Sequence, residues 1–300
     1  YTDINKGKKV TSDTVVSVLA DQVLYADWNV DTYTITFNAN GGTPSFTSKN
    51  VTYSSTYGTL PSATKPGYLF YGWYTEDGKS IREDLTVLIT ANTTLYAYWG
   101  TASDFTYYIK PDNTIAITDF NGIELTHVTN LIIPSSIDGK VVSTIGYRAF
   151  DYYTQIEHIY IPATITSFGE GNSYSINNLV SITVDPANTH YVSIDGVLYN
   201  YDRTTILAYP GAKEGTHYDI PSSVTRIGDL AFSSVSYLQT VNVPSSVTQI
   251  GSIAFCITYS LTHISVDANN PNYKDIDGAL YSIDGQTLLT YPAGRKTSIS

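Results

Sequence analysis

The sequence predicts a mainly β chain: a small sheet-forming repeat followed by a solenoid of parallel strands with hairpin insertions. Three observations carry that expectation. Charged residues make up only 14% of the chain against roughly 25% in an average globular protein, and β-favouring Tyr, Thr, Val and Ile replace them. The spacing Leu-x-x-Val-x-Val recurs through residues 131–266, and most copies are closed by proline. Two longer modules share the motif Ile-Asp-Gly-x-Leu-Tyr, with Asp195 and Asp277 at matching positions.

Composition bounds the function. Apolar residues reach 42%, enough for a sizeable core, and the 27 tyrosines supply rings that pack while their hydroxyls stay wet. The net charge is −11, and residues 101–300 hold most of it. An acidic surface repels phosphate backbones and anionic lipid, so neither nucleic acid nor direct membrane insertion is expected. The lone Cys256 rules out an internal disulfide framework. No apolar run approaches the roughly 18 residues of a membrane span. A chain that opens on Tyr1 and contains no Met reads as a fragment of something longer.

Residues 1–100 hold the first repeat. Residues 1–28 and 74–99 align, each ending in Leu-Tyr-Ala-x-Trp: Leu24 to Trp28 and Leu95 to Trp99. Residues 1–30 are therefore expected to be the back half of a truncated unit, ordered only if its open edge is paired. Residues 31–100 are the complete unit. It opens with the alternating strand Tyr33-Thr34-Ile35-Thr36-Phe37. Asn40-Gly41-Gly42 and Lys65-Pro66-Gly67-Tyr68 supply turn residues that tolerate positive φ. The segments TFNANGG, LPSATKPGYLFYGWYT and TLYAYW resemble the Listeria–Bacteroides, or internalin-type B, repeat. That resemblance implies a small β-grasp-like mixed sheet over a short helix, strung along bacterial surface proteins as a spacer.

Residues 101–300 hold the second repeat. Ile220-Pro221-Ser222-Ser223-Val224, Ile227-Gly228 and Ala231-Phe232 recur as Val243-Pro244-Ser245-Ser246-Val247, Ile250-Gly251 and Ala254-Phe255. An earlier copy runs from Ile133-Pro134 to Ala149-Phe150, and a degenerate one starts at Ile161-Pro162 and lacks the Ala-Phe, so irregular stacking is expected there. Each strand would feed apolar residues into a stacked core, with proline ending the pairing and Ala-Phe filling the opposite wall. Residues 185–212 and 267–294 read as hairpins on Asp-Gly turns of the primed type. Together these motifs resemble the BspA-like, or Treponema pallidum-type, leucine-rich repeat. That family implies a curved solenoid on bacterial surfaces, often adhesive toward other cells or host matrix.

A search for chemistry finds no catalytic, metal or cofactor motif, so a non-catalytic chain without cofactors is expected. His127, His158, His190, His217 and His263 have no metal-ligand spacing, and His158 and His263 read as surface residues beside a strand. The Asp/Asn clusters at 185–188 and 267–272 read as Asx turns in preference to calcium loops. Cys256 reads as a small buried filler.

The positions between the apolar strand residues face outward on the concave side. Stacking four units aligns Tyr160, Thr183, Asn242 and Ser265 in one column, with His158, Ser181, Thr240 and His263 beside it. This polar, nearly uncharged row suits hydrogen bonding to a host or neighbouring-cell protein or glycan. The chain is accordingly expected to be an extracellular, secreted or surface-bound adhesin-like scaffold. A purely structural stalk and the accessory region of a secreted hydrolase are the alternatives.

Overall fold

The computed structural model describes residues 30–295 except 84, 122–128, 152 and 173–175, together with residues 15 and 23. The expected half-repeat at residues 1–30 therefore lies almost wholly outside the described residues, as does His127.

The first unit is a five-stranded mixed sheet ordered Ser48–Thr52, Thr32–Asn38, Thr93–Gly100, Leu69–Tyr74, Ser80–Ile81. Its two central strands are parallel, with Phe37 opposite Leu95, and the remaining pairs are antiparallel. The alternation read from Tyr33 to Phe37 places Ile35 and Phe37 inside, against Trp73, Val87 and Leu95. Trp73 donates to the carbonyl of Pro61 at 2.7 Å and Trp99 to that of Ala39 at 2.9 Å, so the buried and the half-buried indole are both satisfied. Asn40 and Gly41 take positive φ at the first turn. Gly42 has a different reason: a Cβ there would lie 2.4 Å from the Trp99 ring. The helix implied by the resemblance does not form among the described residues of this unit. Residues 53–62, rich in Ser and Thr with Gly58 and Pro61 among them, cross as turns and irregular chain instead, with Tyr57 and Leu60 packed inward.

From Phe105 onward the chain winds as a solenoid with two walls. The front wall holds two parallel trios: Asn130–Ile132, His158–Ile161 and Ser181–Val184, then His217–Asp219, Thr240–Val243 and His263–Val266. The rear wall holds the parallel strands Ile115–Phe120, Lys140–Ile145 and Ser167–Phe168, then Thr205–Ala208, Arg226–Ile227 and Gln249–Ile250. Between the walls lie Leu131, Ile159 and Ile182 in the first half, and Val241, Ile264 and Leu238 in the second. Phe150, Phe232 and Phe255 are all buried, as the Ala-Phe motif predicts.

The four predicted strands do not form a single sheet. The hairpin of Tyr191–Ile194 and Val197–Asn200 comes between the trios and divides the interior into two cores. Leu198 belongs to the first core, while Val197 and Tyr199 belong to the second. A strand buried on both faces reads as continuous apolar sequence, here Val197-Leu198-Tyr199. The Asp-Gly turns are primed as predicted, with φ of 48° and 80° at Asp195 and Gly196 and 49° and 76° at Asp277 and Gly278.

The degenerate coil stacks without its Ala-Phe. Asn172 is buried in its place, accepting from the amide of Ala149 at 2.6 Å and donating to the carbonyls of Gly146 and Gly169. A polar side chain can fill that slot because every bond it needs is met by backbone.

Candidate functional site

The front wall places the predicted columns in register within each trio. Tyr160 lies opposite Thr183, with Ile132 on its other side, and Asn242 lies opposite Ser265. His158 pairs with Ser181, and Thr240 with His263. Thr183 and Asn242 are not brought together. The first hairpin docks on the edge of Ser181–Val184: Ile182 donates to the carbonyl of Gly196 at 2.9 Å and Val184 to the hydroxyl of Ser193 at 3.1 Å. The single column of four is therefore corrected to two columns of three, because the edge that should have received the next coil is taken by the module itself.

His158 also departs from its reading as a surface residue. It is buried, with Arg82 of the first unit against its Nε2 and the Ser181 hydroxyl 2.8 Å from its Nδ1. A guanidinium can only donate, so Nε2 is the acceptor and Nδ1 carries the proton toward Ser181. His263, at the equivalent repeat position, stays exposed.

The second trio carries residues that the sequence reading passed over. His217–Asp219 precedes Thr240–Val243 as a full member of the wall. The His217 ring sits 2.6 Å from the Thr240 hydroxyl and 3.0 Å from Asp219, and Asn242 donates to Asp219 at 2.7 Å. These bonds, Asn242 first and His217 second, hold the Asp219 carboxyl below its ordinary range. The strand was hidden because Gly215 stands where the pattern expects leucine. Ile220-Pro221, directly after the strand, was the available signal.

In the first trio, Tyr160 donates to Asp185 at 2.9 Å. Burial, then this bond, pushes its hydroxyl up to about 12, so it stays protonated and able to donate. Tyr160 lines a groove of about 430 Å³ between the two units, whose walls include Tyr68, Phe70, Pro134 and Pro162. A second cleft of about 390 Å³ lies beside it, lined by Arg82, His158, Thr183, Asp195 and Lys213. The first combines apolar walls with a few polar groups, whereas the second is lined mainly by polar and charged side chains.

Other polar clusters are structural. Asn188 donates to the carbonyls of Pro162 and Ile165 and accepts from His190 and Tyr191; Asn270 repeats all four bonds with Pro244, Val247, Asn272 and Tyr273. Asp185 and Asp267 accept from Ala187 and Asn269, as Asx turns require. Cys256 is half-buried, and burial raises its thiol pKa, which disfavours thiolate.

A model of the BspA type leucine rich repeat region matches residues 95–201 and 208–284 in six copies, more than half of the chain. The chain belongs to the BspA type leucine rich repeat family. A model of the Listeria-Bacteroides repeat domain matches residues 33–98 ahead of it. Among solved structures, this BspA-type chain is 24% identical to the leucine rich repeat protein of T. pallidum, covering 55% of this chain and 70% of that one, with a TM-score of 0.35. It is 22% identical to a leucine rich cell surface protein of Faecalibacterium prausnitzii, covering 64% and 61%, also at 0.35. Over 85 residues it is 35% identical to a protein of Evansella cellulosilytica that bears the name "Putative membrane protein". That match spans 28% of this chain and only 13% of the relative. No helix among the described residues is long and apolar enough to cross a membrane.

Proposed function

We propose that this BspA-type chain is a non-catalytic binding scaffold, secreted or held at a bacterial cell surface, whose polar front wall contacts a protein or glycan of a host or neighbouring cell. The observation that carries this reading is the pair of in-register polar columns, half-buried Tyr160 with exposed Thr183 and exposed Asn242 with half-buried Ser265. The first column opens into the groove beside Tyr68 and Phe70, where aromatic faces and a hydroxyl–carboxylate pair suit a sugar ring or a polar peptide. The surface location is supported by the family and by the cell-surface description of the F. prausnitzii protein. The acidic balance, −11 overall, argues against nucleic acid. In this reading the first unit is a spacer that also walls the groove.

The test is binding of the full chain to a glycan array and to immobilised matrix proteins. Tyr160→Ala or Asn242→Ala is expected to weaken any captured interaction by about tenfold or more, the size of a hot-spot loss. Binding that both variants leave unchanged would show that the front wall is not the contact surface.

A further inference from the structure

The cleft beside Arg82 and His158 is wired so that its serine hydroxyls must donate. Arg82 rests against Nε2 of His158, which therefore keeps its proton on Nδ1 and gives it to the Ser181 oxygen 2.8 Å away. Ser181 accepts that bond, and its own proton is left for another partner. Ser193 is placed the same way, since the amide of Val184 donates to its oxygen at 3.1 Å. Among the described residues no acceptor takes the hydroxyl proton of either serine. Lys213, half-buried on the same cleft, gives one N–H to the carbonyl of Asp195 at 2.6 Å and makes no ion pair among the described residues. Two hydroxyl donors and an ammonium with N–H groups to spare thus border one space of about 390 Å³.

The second hairpin module repeats the backbone of this place and reverses its chemistry. Gly196 and Gly278 accept alike from the amides of Ile182 and Ile264 at 2.9 Å. The residue that receives the next strand amide is Ser193 in the first module, but Asp275 in the second, where Val266 donates to it at 2.9 Å. Asp275 brings a negative charge where Ser193 brings a proton. Ser181 is replaced by His263, whose ring fills the space beside Gly278. The backbone therefore does not demand serine at 193, and the donor set belongs to the first cleft alone.

We infer that this cleft takes the carboxylate of an acidic sugar, a uronic or a sialic acid, at Ser181, Ser193 and Lys213; the inference rests on the front-wall reading above, with which it shares Thr183. An anion receives charge-assisted bonds from all three groups. Asp195 and Glu214 also line the cleft, and carboxylates can only accept. The ligand must therefore bring donors as well as a negative charge, and the hydroxyls of a sugar ring provide them.

The test is calorimetric titration of the full chain with a galacturonic acid trisaccharide, with sialyllactose and with the methyl ester of each. Binding of at least one acid, lost on esterification, is expected, and the acid that binds names the source. Ser193→Asp and Lys213→Gln are each expected to weaken it about tenfold or more, the loss of a hydrogen bond to a charged group. Ser193→Asp should keep the melting temperature, because Asp275 makes the same backbone bond in the second module. Binding of neither acid, equal binding of the esters, or undiminished binding by both variants would overturn the inference. Equal binding of a pentaglutamate peptide would overturn it too, by making the ligand a peptide. A target captured by the chain that Asn242→Ala weakens and Ser193→Asp leaves untouched would sink the cleft and leave the front wall standing.

Discussion

At the scale of single residues, the hairpin modules rest on buried asparagine. Asn188 and Asn270 each tie four backbone groups together, and a side chain with one amide and one carbonyl is the only uncharged group able to do so. Asn270→Ala would leave buried carbonyls and amides unpaired, and a loss of about 3 kcal/mol is expected in urea unfolding. The exposed neighbour Asn269, changed to Ala, should stay within about 0.5 kcal/mol. The sequence showed these positions as oxygen-rich clusters and correctly read turns in them. It could not show that Asn188 and Asn270 are buried, because burial depends on the preceding coil, whose carbonyls at Pro162 and Pro244 they reach. His158 was misread for the same reason: the residue that covers it, Arg82, is 76 positions away.

At the scale of elements, the rear wall is stabilised by aromatic stacking between coils. Tyr209, Phe232 and Phe255 stack in turn, at 5.1 and 5.0 Å with interplanar angles of 22° and 19°. Tyr209 follows Ala208 and donates its amide to Ala231, as Phe232 donates to Ala254, so Ala208-Tyr209 is a member of the Ala-Phe series. Truncating the central ring removes contacts on both sides. Phe232→Ala is expected to cost about 3–5 kcal/mol in denaturant unfolding, since a fully buried aromatic leaves a cavity. The front-wall strands His158–Ile161, Ser181–Val184, Thr240–Val243 and His263–Val266 were legible because a period of two is a local signal, whereas the parallel pairing of the rear wall was not read from the sequence. Strand Asn130–Ile132 was not among the four stacked units, and strand His217–Asp219 was hidden because Gly215 erased the leading leucine and left only Ile220-Pro221 to mark it.

At the scale of the whole molecule, the two units share a core. Tyr71 belongs to the first sheet, yet its ring lies fully buried in the first solenoid core and its hydroxyl donates to Asp104 at 2.9 Å. Ser80 meets Thr129 at 2.9 Å across the same junction. Tyr71→Ala is expected to turn one cooperative unfolding transition into two, seen as separate heat-absorption peaks in calorimetry. Alkaline pH offers a second global readout. Burial, foremost in each case, raises Tyr153, Tyr160 and Tyr209 to about 12 from an ordinary value of 10.0. A raised tyrosine pKa means that the folded state holds its protons longer than the unfolded one. The associated stability is fully present below pH 10 and is lost as pH rises through about 12. Cooperative unfolding is therefore expected between those limits, read as the loss of β-sheet circular dichroism; a sheet signal unchanged through about pH 12 would contradict it.

The sequence by itself determined the class of fold, the primed Asp-Gly turns and the apolar, inward-facing positions of the strands it predicted. All of these follow from short-range spacing, which the geometry of an extended chain converts directly into faces. Only the tertiary structure decided which coils are neighbours. A hairpin that follows a strand competes with the next coil for the same edge, and the outcome depends on which surface is buried on both sides. Packing of Leu198 on one core and Tyr199 on the other settles that competition, splits the polar column, and leaves two shorter columns where one long one was expected.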